Sequence, residues 1–333
     1  MKIVVLDGYT LNPGDNPWDA VGRLGELEVY DRTAPHQVLG RTREAEMILT
    51  NKAPVSAETL KQLPKLGFIS VMATGYNIVD IVAAGERDIA VSNVPEYGTD
   101  SVAQFAFALL LELCHHVGTH DIAVKAGDWA ACPDWSFWKT PQILLTGRKM
   151  GIAGFGRIGR RVGELAHAFG MEVLAFDPQQ GEAPAYSPFH WKSQEDLFAE
   201  ADVVSLHCPQ TPHNTGFVDR DLISLMKKGS FFINAARGGL VNENDLAEAL
   251  NVERIAGAAI DVVSIEPIQP DNPLLSARNC LITPHVAWAT LSARQRLMEA
   301  TVENISAFLS GCPVNVVNGS YIRGDPAAGA GKG

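Results

Sequence analysis

The chain has 333 residues, 46% of them hydrophobic, with 38 acidic against 27 basic side chains and a net charge of −11. That length suits two domains with sizeable cores, and the composition suits a globular protein rather than a disordered or fibrous one. The acidic balance argues against a nucleic-acid surface.

From the N-terminus, Met1-Lys2 leads directly into a strand pattern, so no signal peptide is read there. Short apolar runs at Ile3–Leu6, Glu28–Tyr30, Met47–Thr50, Leu66–Val71 and Ala90–Asn93 predict strands with helices between them. This first α/β domain lacks a glycine fingerprint. A helix is predicted over Asp100–His115. Its apolar part, Val102–Leu113, is broken by Gln104 and Glu112 and is too short to span a membrane. Residues 129–138 hold Trp129, Trp135, Phe137 and Trp138, and so half of the chain's six tryptophans. Pro133, Asp134 and the lack of any clean period predict a loop. Large rings in a loop either pack on the core or face a partner, where aromatics are enriched.

From residue 149 onward strands and helices alternate. Strands are predicted at Met150–Ala153, Glu172–Phe176, Asp202–Leu206, Phe231–Asn234, Ile255–Ile260 and Cys280–Thr283. A helix over Asn244–Leu250 has Asn242 or Asn244 as its cap. Six strands with crossover helices make a doubly wound parallel sheet. Ser292–Leu309 predicts a long amphipathic helix with no strand of its own. The economical layout is an α/β fold of two Rossmann-like domains. Residues 1–98 and 291–320 form a discontinuous flavodoxin-like domain, and residues 99–290 are inserted into it. A ligand cleft is expected between the two. Residues 321–333, rich in Gly and Ala, are expected to be a disordered tail. The five cysteines, Cys114, Cys132, Cys208, Cys280 and Cys312, form no C-x-x-C pair and read as reduced thiols in the cytoplasm.

The segment Gly151-Ile152-Ala153-Gly154-Phe155-Gly156-Arg157-Ile158-Gly159 holds G-x-G-x-x-G between an apolar run and a helical pattern. Gly154 allows the tight turn leaving the strand, Gly156 lets the backbone approach a pyrophosphate, and Gly159 lets helix and strand pack closely. Asp177 closes the next apolar run, where a carboxylate accepts both ribose hydroxyls of NAD. It should repel a 2′-phosphate, and Pro178-Gln179-Gln180 offers no cation for one, so NADH is expected over NADPH.

Three later segments sit at the ends of predicted strands, where ligands bind in such sheets. They carry Arg237, Glu266 and His285. Arginine can fork onto a carboxylate or polarise a carbonyl. Histidine exchanges a proton near neutral pH, and a glutamate beside it orients the ring. Taken singly, Arg237 and Glu266 also fit a structural ion pair and His285 a strand cap. No His/Cys/Asp/Glu set has metal-ligand spacing, so no metal is expected.

Ordered motifs along residues 1–318 resemble the D-isomer-specific 2-hydroxyacid dehydrogenases. They are Thr74-Gly75-Tyr76-Asn77, Asn93-Val94-Pro95-Glu96-Tyr97-Gly98-Thr99-Asp100-Ser101-Val102-Ala103, the glycine fingerprint, His207-Cys208-Pro209, Asn234-Ala235-Ala236-Arg237-Gly238, Asp261-Val262 and Pro284-His285. Within that family, Ala103-Gln104-Phe105, Gly127-Asp128-Trp129, Trp135-Ser136-Phe137-Trp138 and His285-Val286-Ala287-Trp288-Ala289-Thr290 with Ala293-Arg294-Gln295-Arg296 are similar to the glycerate dehydrogenases, or hydroxypyruvate reductases.

The resemblance implies reduction of hydroxypyruvate to D-glycerate, and of glyoxylate to glycolate, by hydride transfer from NADH. His285 would be the acid/base, Glu266 its support, and Arg237 the grip on the substrate's carboxylate or carbonyl oxygen. The amides of Thr74, Gly75 and Tyr76 would hold the carboxylate. Arg157 and Ile158 would face the pyrophosphate and Thr215 would contact it, with Gly154, Phe155, Gly156 and Gly159 completing the cofactor-binding turn. Thr99, Ala235, Ala236 and Asp261 would line the cofactor site, Asp261 receiving the carboxamide. His207, Cys208 and Pro209 would line the adenine and ribose side. The partners implied are a small 2-oxo or 2-hydroxy acid and a second copy of the chain. The dimer would form through the NAD-binding domains, with Trp138 reaching the partner's substrate. No nucleic acid or membrane is implied. D-3-phosphoglycerate dehydrogenase is the alternative substrate class, although Lys52 and Lys65 are the only cations near Thr74 to meet a phosphate. An NAD-binding corepressor scaffold is the remote alternative, and formate dehydrogenase is disfavoured by Glu at position 266.

Overall fold

The computed structural model describes residues 1–322. It divides into two compact units, Met1–Tyr97 with the chain from Ala289 onward, and Gly98–Trp288.

In the first unit, β1 (Lys2–Val5), β2 (Glu26–Val29), β3 (Met47–Thr50), β4 (Phe68–Val71) and β5 (Ala90–Ser92) form a parallel sheet in the order β2-β1-β3-β4-β5. This is the flavodoxin-like order. β3, β4 and β5 are buried along their whole length, so they read as continuous apolar runs rather than alternating ones. The helix Leu291–Leu309 belongs here: Phe308 stacks on Phe68 with ring centroids 4.6 Å apart. Arg294, 7% exposed on this helix, forks onto Asp15 with Nη1–Oδ1 2.5 Å and Nη2–Oδ2 2.7 Å, and also donates to the carbonyls of Leu11 and Ala289. Asn318 accepts from the Val91 amide, and Tyr321 packs over Gly85. Residues 323–333, where most of the predicted tail falls, lie outside the described residues.

In the second unit, β6 (Lys149–Ala153), β7 (Glu172–Phe176), β8 (Phe189–Trp191), β9 (Val203–Leu206), β10 (Phe231–Asn234), β11 (Gly257–Ile260) and β12 (Cys280–Ile282) form a parallel sheet. The order is β12-β11-β10-β9-β6-β7-β8, and the chain reverses direction across the sheet between β6 and β9. A ligand crevice opens at such a switch point, beyond the carboxyl ends of the strands. Neighbouring residues face opposite layers, so both faces need apolar side chains. Val204, Phe232 and Ala258 pack with Leu222, Leu246 and Leu250 on one face. Val203, Ile233 and Ala259 pack with Ala106, Leu110 and Leu113 of the helix Thr99–His115 on the other.

The sequence pattern misses β8, which makes seven strands of the expected six. It is three residues long and sits at the edge, pairing with Val173–Ala175. No apolar run marks it. Phe189 and Trp191 hold it by closing on Phe155, with ring centroids 5.1 and 5.4 Å away. The predicted helix Asn244–Leu250 runs Glu243–Asn251, with Asn242 as its cap. A short helix, Val117–Lys125, follows Thr99–His115. No single helix among the described residues is long and apolar enough to cross a membrane.

The aromatic segment is a loop, and it does not pack on the core of its own unit. Trp129, Trp135 and Trp138 are 52%, 88% and 69% exposed. Trp129 Nε1 donates to the Trp135 carbonyl, Lys139 pairs with Asp128, and the Lys139 amide donates to His120 Nε2.

Candidate active site

β6 ends at Ala153, and the chain turns at Gly154 with φ +93°, a conformation that side chains resist. A Cβ there would stand 2.5 Å from the Cys208 nitrogen and 2.6 Å from the His207 carbonyl carbon. The loop after β9 therefore closes directly on the glycine turn. A Cβ on Gly159 would collide with the Gly154 carbonyl at 2.1 Å, so only glycine lets the helix Arg157–Ala168 sit this close. Over Gly156 nothing lies within 4 Å of where a Cβ would be, and no side chain caps the helix it begins. Open space at an uncapped helix start, bounded by glycine, fits a pyrophosphate. At the end of β7, Asp177 is fixed at both oxygens: Oδ2 accepts from the Phe155 amide and Oδ1 from the Gln179 amide, each at 2.9 Å.

The loop after β9 is neutral in character. His207 Nε2 lies 2.8 Å from Ser205 Oγ, and desolvation pushes its pKa down to about 4, so it is uncharged at neutral pH. Burial pushes the Cys208 thiol up to about 11. Both suit a wall rather than a reacting group. Pro209 accepts from Asn214 Nδ2, and Thr215 Oγ1 donates to the Thr211 carbonyl, leaving Thr215 exposed on a closed turn.

After β10, the Asn234 side chain accepts from the Ala236 amide and donates to the Arg237 carbonyl, which sets the path of Ala235–Arg237. Arg237 is exposed, and its Nη1 donates to the Ala236 carbonyl. A Cβ on Gly238 would overlap the Val263 carbonyl group, so the Arg237 loop lies flat on the loop after β11.

That second loop carries Glu266, and its Oε2 lies 2.8 Å from His285 Nδ1. Nδ1–H therefore donates to the carboxylate, and Nε2 is left for proton exchange. His285 has φ +55°, a strained conformation outside glycine. Asp261, 1% exposed at the end of β11, holds it there. Its carbonyl accepts from the His285 amide at 2.8 Å. Its carboxylate accepts from Thr283 Oγ1 and from the amides of Val286 and Ala287. Three donors occupy most of that carboxylate, so in this chain Asp261 first organises the histidine segment.

Two further residues support the site, and sequence reading gives neither of them that role. Ser101 Oγ donates to the Ala287 carbonyl from inside the helix Thr99–His115. Glu243 accepts from the amide and hydroxyl of Ser264 and from Asn272 Nδ2, clamping the Glu266 loop at both ends. Ser101 stands in the crossover motif but its spacing assigns it no partner, and Glu243 stands in none; the folded path brings both to the site.

In the first unit, Thr74, Gly75 and Tyr76 follow β4. Their loop is fixed by Thr74 Oγ1 donating to the Val94 carbonyl and Asn93 Nδ2 donating to the Thr74 carbonyl. The three amides donate to no group among the described residues. Successive N–H groups without an acceptor among the described residues are available to an anion. Among the described residues no group of three His, Cys, Asp or Glu side chains could hold a metal ion.

The model of the NAD-binding domain of D-isomer-specific 2-hydroxyacid dehydrogenases matches residues 107–287, more than half of the chain. The hydroxypyruvate reductase of Blautia hydrogenotrophica is 49% identical over 96% of this chain and all of that protein. The glycerate dehydrogenase of Methylorubrum extorquens is 37% identical over 95% of this chain and 98% of its own length. The crystal structure of Aquifex aeolicus D-lactate dehydrogenase with NAD and lactic acid superposes with a TM-score of 0.81 at 27% identity, covering 98% of both chains. A glycine cradle and a histidine–glutamate pair at one sheet edge already point to dinucleotide-linked proton and hydride chemistry, and these likenesses settle its kind: the chain belongs to the D-isomer-specific 2-hydroxyacid dehydrogenases, oxidoreductases that bind NAD.

Proposed function

We propose that this chain reduces hydroxypyruvate to D-glycerate with NADH, and glyoxylate to glycolate more slowly. The observation that carries the reading is the His285–Glu266 pair held at the same sheet edge as the glycine cradle. The names of the Blautia and Methylorubrum relatives support the substrate. Bound NADH supplies the hydride to C2 of the 2-oxo acid. Imidazolium His285 gives the proton from Nε2 to the carbonyl oxygen, and Glu266 keeps the ring turned for that transfer. Arg237 and the free amides of Thr74–Tyr76 bind the carboxylate and carbonyl oxygens. Asp177 binds the ribose hydroxyls and, by charge, disfavours a 2′-phosphate, which makes NADH the preferred reductant. Thr99, Phe155, Arg157, Ile158, Cys208, Pro209, Thr215, Ala235 and Ala236 line the rest of the cofactor site. The exposed tryptophans of the 129–138 loop are assigned to a two-fold homodimer. Free cysteines without a disulfide suit a reducing cytoplasm.

The test is a panel of 2-oxo acids with NADH and NADPH. Hydroxypyruvate should give the highest kcat/KM with NADH, followed by glyoxylate. A higher value for pyruvate or 3-phosphohydroxypyruvate would overturn the substrate, and turnover with none of them would overturn the activity.

A further inference from the structure

The loop after Asp177 contains no cation in its sequence, yet an arginine lies on it in space. Arg160 stands one residue past the last glycine of the cradle, in the first turns of the helix Arg157–Ala168. Its Nη2 donates to the Glu182 carbonyl at 2.8 Å, and a Cβ on Gly181 would stand 2.9 Å from the same nitrogen. Its guanidinium carbon sits 5.1 Å from the centre of the Phe155 ring. Phe155 is also the residue whose amide donates to Asp177 Oδ2. The carboxylate at the start of the loop and the guanidinium midway along it are thus anchored to one residue of the cradle.

Arg160 is half-buried and pairs with no carboxylate among the described residues. Its neighbour Arg161, by contrast, is committed to Asp100 and Glu164. What holds Arg160 is one neutral carbonyl and one ring face, both weaker partners for a guanidinium than a phosphate dianion, which the planar fork matches.

We propose that Arg160 is this chain's cation for the 2′-phosphate of NADPH, and that Asp177 and Arg160 together set the choice between the two reductants. The inference rests on the reading of Asp177 as the ribose ligand. With the Asp177 carboxylate in place, its repulsion outweighs the arginine and NADH is favoured. With that charge removed, Arg160 is free to turn from the Glu182 carbonyl to the phosphate. No new cation at Gln179 is then needed.

The experiment is a double-mutant cycle on the full-length protein: the unmodified chain, R160Q, D177S and R160Q/D177S. Each is titrated with NADH and with NADPH, and Kd is read from quenching of tryptophan fluorescence. R160Q should weaken NADPH about fivefold and leave NADH within about twofold. D177S should tighten NADPH about tenfold, and the double variant should lose most of that gain. Thermal unfolding of each variant confirms that the comparison is between folded proteins. An equal NADPH gain in D177S and in R160Q/D177S would overturn the role of Arg160 while sparing Asp177, and so would equal weakening of both dinucleotides by R160Q. Equal affinity of the unmodified chain for NADH and NADPH would overturn the Asp177 reading, and R160Q would still judge Arg160 separately.

Discussion

His285 and Glu266 stand nineteen residues apart in the chain and 2.8 Å apart in the fold, Nδ1 to Oε2. The contact is made between the loops that follow β11 and β12, strands that are neighbours in the sheet. Register sets the distance, and the carboxylate sets the tautomer. The ring nitrogen that remains is the one able to exchange a proton with substrate.

His285→Gln should therefore lower kcat about 10³-fold, the usual weight of a general acid. Glu266→Gln keeps the shape and loses the charge, and should lower kcat/KM about 10²-fold while leaving the Kd for NADH within about twofold. Steady-state kinetics and a fluorescence titration check both. Full activity in Glu266→Gln would detach that residue from the acid–base step.

Asp261→Asn should be costly out of proportion to its size. The amide would turn a donor toward one of three groups that now donate to the carboxylate. A buried donor left without an acceptor costs about 1–3 kcal/mol. The 283–287 segment should then exchange its amide hydrogens faster and kcat should fall with it. Hydrogen exchange by mass spectrometry reads the first effect. Unchanged protection would show that the segment holds itself.

In the first unit, the Arg294 guanidinium holds the Asp15 carboxyl below its ordinary value of 3.8. A depressed carboxyl contributes stability above its unfolded pKa and loses it as pH falls through the folded one. Arg294→Met should lower Tm by roughly 5 °C at neutral pH, because a nearly buried guanidinium loses its hydrogen bonds. The gap to the unmodified chain should be constant above pH about 5 and narrow below about 4. Calorimetry over that range checks it; a gap that widens in acid would contradict the pairing.

Cys208 should resist alkylation despite lying beside the cofactor cradle. With its thiol pushed up to about 11, roughly three in ten thousand molecules carry the thiolate at pH 7.5. Its labelling by iodoacetamide should rise about tenfold per pH unit up to pH about 10. Peptide mass spectrometry follows the site. Fast labelling of Cys208 at neutral pH would show a thiol activated by its surroundings.

Trp138→Ala should raise KM for hydroxypyruvate and leave KM for NADH nearly unchanged, as expected of a ring that reaches a partner's substrate. Trp135→Asp, at the most exposed of the three rings, should shift the protein toward monomer in sedimentation velocity. An unmodified chain that is monomeric at micromolar concentration and fully active would overturn the dimer.

The chain's own order of residues determined the parts that depend on local backbone and local burial. Strands buried on both faces are mostly apolar, so β3, β4 and β10 stand out as runs. Gly154, Gly156 and Gly159 are legible because each meets a steric demand that no other residue satisfies. Motif order was enough to propose Asp177, Arg237, Glu266 and His285. What the tertiary structure alone decided was the set of contacts between elements distant in sequence. β8 exists because Phe189 and Trp191 find Phe155, not because three residues favour a strand. Asp261 and Glu243 became the scaffolds of the His285 and Glu266 loops through amides and side chains up to 29 residues away. Arg160 came to lie on the Asp177 loop through a single carbonyl 22 residues on. Contacts of this kind show in no periodicity and no motif spacing, even where the residue itself, like Asp261, stands in a motif, because the partners are chosen by where the sheet edge brings them, and that edge exists only once the chain has folded.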